Sequence, residues 1–166
     1  MDDKERYERG MAKRRKVLGN AWVDRANARK TAFNEEFQDF ITRTAWGEIW
    51  TRPHYDERTR RILVIGTMLA LDKWEEFRMH VRAALTEANF TPDDIKEIIL
   101  QQAIYCGVPA ANHAFKEAAD VIAEVKSFDV WDRNDYDGDG DFNEPDGYID
   151  HFQIVHSGGD QADGDP

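Results

Sequence analysis

Cysteine is nearly missing from this chain: Cys106 stands alone in 166 residues. One thiol excludes an internal disulfide, a CxxC redox pair and a cysteine-based zinc cluster within one chain. Long apolar runs are missing too. The longest, residues 62–71, is about half the ~20 residues of a membrane span, and Arg61 and Asp72 bound it. No membrane partner is expected. The polar start (Met1, Asp2, Asp3, Lys4, Glu5, Arg6) lacks the apolar segment of a secretory signal, so a cytoplasmic location is expected. There is no basic excess either. Lys and Arg number 22 against 33 Asp and Glu, a net charge of −11, and no nucleic-acid footprint is expected from that balance.

What is present is an ordinary globular composition, 41% hydrophobic and 33% charged, in a chain long enough for one compact core. The acid is unevenly spread. Residues 127–166 hold eleven Asp, with Glu144 and Arg133 as their remaining charges, so the whole net charge of −11 lies there. Residues 1–126 are balanced. The chain therefore divides into a neutral body, 1–126, and an acidic tail, 127–166.

The body reads as helix throughout, with no strand pattern and no internal repeat. Tyr7, Met11, Val17 and Leu18 form a thin apolar stripe that ends at Gly19 and Asn20. Residues 22–44 repeat Phe33, Phe37, Phe40 and Ile41 at helical spacing, with a restart expected at Asn34. Gly47 and Pro53 are expected to punctuate the stretch that carries Trp46, Ile49 and Trp50. Asp56 is suited to cap a helix that bears Arg58, Arg60 and Arg61 in its first turns. Residues 73–88 present Trp74, Phe77, Val81, Ala84 and Leu85 on one face, with His80 near it. Thr91, Pro92, Asp93 and Asp94 form a helix-start signal, and Gly107 and Pro109 separate that helix from the last one. The expected fold is all-α, a compact domain of about six helices followed by a non-helical acidic tail.

The tail carries its own motif. Asp135, Asp137, Asp139, Asn143 and Asp146 place oxygen ligands at positions 1, 3, 5, 9 and 12 of a loop, Gly140 sits at position 6, and Asp141 completes the candidate set. That is the spacing of an EF-hand-like Ca²⁺ loop, with Asp146 in place of the usual Glu. The alternative is a solubilising acidic run. Residues 149–155 read as a short strand, which would put His151 and His156 on opposite faces and disfavours a zinc pair.

These segments together resemble γ-carboxymuconolactone decarboxylases. The likeness runs over about residues 3–125. It is carried by the Trp-rich stretch 32–53, the Asp56, Arg58, Arg60, Arg61 segment, residues 77–85 around His80, residues 91–97, and residues 102–112 around Cys106, Gly107 and Pro109. The elements around His80 and around residues 105–109 belong to a wider AhpD-like superfamily, which includes dithiol peroxidases. A single cysteine disfavours that branch. Residues 131–166 resemble a calcium-binding segment of immune-inhibitor-A-like metalloproteases, whose zinc-binding HExxH this sequence lacks.

The resemblance implies decarboxylation of γ-carboxymuconolactone to the β-ketoadipate enol-lactone in aromatic (protocatechuate) catabolism. The partner would be a small dicarboxylate lactone. It also implies no cofactor for catalysis, because the lactone carbonyl can accept the electrons that the departing carboxylate releases. A ring homo-oligomer, trimer or hexamer, is implied as well. Such chemistry needs a carboxylate clamp, a donor at the developing oxyanion and a proton for carbon. His80 is the expected acid or oxyanion donor; a core-edge histidine bonded to a backbone carbonyl is the plainer reading. Glu97 is expected to orient His80 or shuttle the proton, the alternative being a first-turn acid favoured by the helix dipole. Arg60 is the expected clamp, with Arg58, Arg61 and Arg82 as rivals. Tyr105, Cys106 and His113 are expected to line the pocket, Cys106 as a thiol rather than a nucleophile. Trp46 joins the substrate-binding candidates, although it and Trp50 also suit a core or a subunit contact. Two other readings remain: an inactive oligomeric scaffold, and a peroxidase-like or isomerase reaction on the same fold.

Overall fold

The structure, a computed structural model, describes residues 2–126. The expected calcium loop (Asp135, Asp137, Asp139, Asp141, Asn143 and Asp146) and the expected strand at 149–155 lie outside the described residues. Among the described residues there is no strand. Seven α-helices follow one another: α1 (Asp3–Leu18), α2 (Asn20–Ala28), α3 (Glu35–Ile41), α4 (Glu57–Ala70), α5 (Trp74–Glu87), α6 (Pro92–Cys106) and α7 (Val108–Lys126). A π-helix, Thr42–Ile49, continues α3 directly. No helix of the described residues is long and apolar enough to cross a membrane.

The start signals work as their chemistry predicts. Asp56 Oδ1 accepts the Thr59 amide at 2.7 Å and caps α4. Thr91 and Asp94 form a reciprocal capping box at the head of α6, with Pro92 behind the cap. Gly107, at φ 89°, turns the chain between α6 and α7 in a conformation that a side chain would oppose.

Gly47 does not punctuate the helix, contrary to expectation. It lies inside the π-helix because α1 packs directly on it. A Cβ on Gly47 would stand 2.4 Å from the Arg6 carbonyl oxygen, and one on Gly10 would stand 2.0 Å from that of Thr42. Only glycine lets the two backbones meet so closely. The wider turn is visible in the Trp50 amide, which donates to the Ala45 carbonyl at 2.9 Å, one residue beyond the α-helical partner. Hydroxyls take up carbonyls along this stretch: Thr42 bonds Gln38, Thr44 bonds Phe40 and Thr51 bonds Gly47, each at 2.7 Å. Arg9 Nε adds a bond to the Gly47 carbonyl at 2.9 Å.

Two apolar clusters form the core. One joins α4, α5, α6 and α7 through residues such as Ile65, Leu69, Phe77, Val81, Ile99 and Val121. The other joins α1, α2, the π-helix and α5 through Val17, Leu18, Val23, Trp46 and Ala83. α5 serves both, because Phe77, Val81 and Ala84 point one way while Met79 and Ala83 point the other. His80 lies between them on the same helix.

Candidate active site

The polar residues singled out in the sequence do not converge on one place. Near the head of α4, Arg58, Arg60 and Arg61 have different partners.

On the inner side, Arg61 is 1% exposed and His80 is 6% exposed. One Arg61 amino group donates to the Val17 carbonyl at 2.7 Å, which ties α4 to α1. Its other amino group and its Nε are buried with no hydrogen-bond partner, and so is His80 Nδ1. Among the described residues, no carboxylate forms an ion pair with Arg61. Glu57 and Glu87 act on it only at a distance, and Glu57 is already bonded to Lys13 and Lys16. Burial, reinforced by the Arg61 charge, pushes the His80 pKa down from 6.5 to about 4. The imidazole is therefore neutral at pH 7. Such a ring can donate one N–H to a developing oxyanion while Arg61 supplies positive charge beside it. Trp50 lies parallel to the His80 ring, 6.5 Å away with 2° between planes, and stacks in turn on Trp46 at 5.1 Å. Trp46 lies in the π-helix and Trp50 at its C-terminal cap, four residues and about one turn apart.

On the outer side, α4 and α6 border a hollow of about 300 Å³ lined by Arg58, Ile62, Phe90, Asp94, Glu97, Ile98, Gln101 and Gln102. Arg58 is half exposed and already satisfied. It pairs with Asp94 at 2.5 Å and lies 4.2 Å over the Phe90 ring. Glu97 is exposed on the wall of this hollow, where the sequence reading allowed a shielded carboxylate. With His80 Nδ1 unpartnered, Glu97 does not orient that nitrogen within the chain.

The remaining candidates sit elsewhere. Arg60 donates to the Arg52 carbonyl at 2.9 Å and braces the 50–56 turn, with its Nε buried and unpartnered. Arg82 is paired with Glu124. Tyr105 is 75% exposed, and Cys106 donates its thiol to Gln102 Oε1 at 3.3 Å. His113 stacks on Trp74 at 4.0 Å and meets Glu117 at 3.2 Å, so no Cys106–His113 dyad forms. Trp46 is buried as a core residue that backs Trp50. Among the described residues no group of three His, Cys, Asp or Glu side chains is placed to hold a metal ion.

Residues 35–120 match the model of the carboxymuconolactone decarboxylase family. The chain is 41% identical over 125 residues to 4-carboxymuconolactone decarboxylase of Acinetobacter baylyi, covering 75% of this chain and 92% of that protein. The chain belongs to the carboxymuconolactone decarboxylase family. Nitrosuccinic acid decarboxylase of Metarhizium robertsii is another relative, 31% identical over 130 residues, which cover 78% of this chain and 87% of that protein. A second model, the immune inhibitor A peptidase M6 catalytic domain, matches residues 78–165. Immune inhibitor A of Bacillus thuringiensis is 46% identical over 52 residues, 31% of this chain and 8% of that protein. This sequence carries no zinc-binding HExxH, since none of its five His is followed by Glu.

As a member of this family the chain is a decarboxylase. Sequence reasoning ranked Arg61 behind Arg60 because spacing alone cannot tell which arginine points inward. The signal was available in the apolar pattern: Arg61 is in register with Ile65 and Leu69, the buried stripe of α4.

Proposed function

We propose that the chain removes CO₂ from γ-carboxymuconolactone and yields the β-ketoadipate enol-lactone, a step of aromatic catabolism. The observation that carries this reading is the buried, unpaired Arg61 guanidinium beside a neutral His80 under the Trp50 ring. Arg61 holds a substrate carboxylate in place of the protein carboxylate it lacks. His80 donates to the lactone carbonyl oxygen. The C–C bond to the departing carboxylate breaks, its electron pair passes through the ring double bond to that oxygen, and a proton then adds to carbon. The substrate is its own electron sink, so the reading needs no cofactor. One relative is named for nitrosuccinic acid, a diacid whose nitro group is also an electron sink, and that chemistry agrees with such a site.

Incubation with γ-carboxymuconolactone should release CO₂ with formation of the enol-lactone. No release from folded, helical protein would overturn the proposal in favour of the scaffold reading.

We propose further that copies of the chain assemble into a ring, a trimer or a hexamer. Support comes from α6 and its surroundings, where Leu63, Leu100, Ile104 (80% exposed), Tyr105 and Val108 present apolar surface to solvent. Light scattering after size-exclusion chromatography tests this, and a monomer at micromolar concentration would reject it.

A further inference from the structure

Arg61 is not the only buried arginine without a carboxylate. Arg14, on α1, is 4% exposed and its Nε has no partner. Its two amino groups make only long contacts to neutral oxygens, 3.5 Å to Thr42 Oγ1 and 3.3 Å to Gln38 Oε1, and its guanidinium lies 5.5 Å from the Trp22 ring centroid. Among the described residues no carboxylate pairs with it. This is unusual company for a buried cation, because desolvation without a counter-ion is costly. Burial lowers the pKa of Arg14 and of Arg61, outweighing Tyr7 near the first and Glu57 and Glu87 near the second.

The contacts around the two arginines close into a ring. Arg14 touches Thr42, which shares the π-helix with Trp46. Trp46 stacks on Trp50 and Trp50 on His80. His80 lies in the field of Arg61, and Arg61 bonds the Val17 carbonyl. Val17 is one helical turn from Arg14 on the same face of α1. The same ring runs through the second core cluster, where Trp22, Trp50, Met11 and Met79 are half-buried rather than sealed. Each arginine, without a carboxylate ion pair among the described residues, thus touches a member of this cluster: Arg14 the Trp22 ring and Arg61 the Val17 carbonyl.

We propose that Arg14 is a second substrate-binding residue, and that it takes one carboxylate of a small dicarboxylic acid whose other carboxylate is held by Arg61. The assignment rests on the decarboxylase reading for the reaction but not for the binding. It predicts a preference for dianions: each carboxylate would neutralise a guanidinium that has no carboxylate partner among the described residues, while a monocarboxylate would leave one bare.

Full-length wild type, Arg14→Gln and Arg14→Lys test it in two assays. In the first, thermal midpoints are measured with succinate and with butyrate. Wild type should be raised more by succinate, Arg14→Gln should respond equally to both, and Arg14→Lys should keep part of the difference. In the second, turnover of γ-carboxymuconolactone should show KM raised at least tenfold in Arg14→Gln with kcat changed less than threefold. A succinate preference that survives in Arg14→Gln, together with an unchanged KM, would overturn the proposal. So would a loss of kcat alone that tracks a lowered melting temperature, which marks a brace between α1 and the π-helix. If wild type fails to turn over the lactone yet shows an Arg14-dependent succinate preference, the decarboxylase reading falls and the dicarboxylate site stands.

Discussion

Arg58 and Arg61 are three residues apart in the first turns of α4, and the protein treats them in opposite ways. Arg58 is half exposed, paired with Asp94 at 2.5 Å and laid over Phe90. Arg61 is buried, bonded to a single backbone carbonyl and denied a carboxylate among the described residues. An exposed pair of the first kind contributes little to stability, about 0–1 kcal/mol. A lone buried cation of the second kind costs stability and is kept only if something repays it. The proposed chemistry therefore belongs to the inner face rather than to the outer hollow.

The largest test of that contrast is removal of His80. His80→Ala should lower kcat/KM for the lactone by about 10²–10⁴-fold, the range that a positioned acid, base or donor supplies. Its helical circular dichroism should stay that of wild type. Unchanged turnover would take the chemistry off the inner face altogether.

Next comes the arginine pair itself. Arg61→Gln should reduce kcat/KM by roughly 10²-fold, the scale of one lost charge-stabilising contact in a desolvated site. Arg58→Gln should leave it within about threefold and shift stability by less than about 1 kcal/mol. The reverse ranking in a turnover assay would move the site to the outer hollow.

Acid should then reveal His80 in stability. The folded-state pKa is about 4 against an ordinary 6.5, so the unfolded chain binds the proton more readily. The stability tied to neutral His80 is fully present above pH 6.5 and is lost as pH falls towards 4. The loss approaches about 3 kcal/mol. Urea midpoints of wild type and His80→Gln should converge over that window, and parallel curves would show that His80 is not buried as described.

The close meeting of α1 with the π-helix gives the fourth test. Gly47→Ala would push a Cβ against the Arg6 carbonyl at 2.4 Å. Overpacking of this kind costs about 1–3 kcal/mol, and the melting temperature should fall accordingly. Turnover should fall with it, because Trp46 and Trp50 ride on the same helix that Gly47 lets approach. A neutral result would mean that the stack over His80 tolerates a looser α1.

Sequence reading reached the helices where local chemistry decides them. Asp56, Thr91 and Pro92 announce their helix starts through side-chain caps, and Gly107 announces a turn by its permitted φ. It missed the π-helix because Gly47 has two opposite uses. A glycine breaks a helix in isolation but permits backbone contact when another helix, here with Gly10, lies against it. That second use depends on residues 37 positions away. The burial of His80 beside an apolar face was legible in the sequence, and the separate environments of the arginines were not. Nothing in the spacing of Arg58, Arg60 and Arg61 shows that the first is salt-bridged, the second braces a turn and the third is buried alone. Arg14 lay in a polar first helix, where a buried charge is least expected.

The smallest expected effect belongs to Glu97, and it sharpens the comparison because the residue lies on the other side of it. Glu97 is exposed in the outer hollow. It lines that hollow together with Arg58, Asp94 and Gln101, and His80 is not among the lining residues. Glu97→Gln keeps the shape and removes the charge, so within one chain it should alter kcat/KM by less than about twofold and stability by less than about 0.5 kcal/mol, as for most surface substitutions. A loss of tenfold or more would show that Glu97 reaches a reacting group from outside its own subunit. The ring proposed above supplies that route, since the exposed apolar face of α6 carries Glu97 along its edge. Dilution separates the two cases. If activity of wild type falls on dilution and Glu97→Gln is defective at every concentration, the residue serves a neighbouring copy. If wild-type activity per subunit stays constant down to the monomer, Glu97 belongs to the surface.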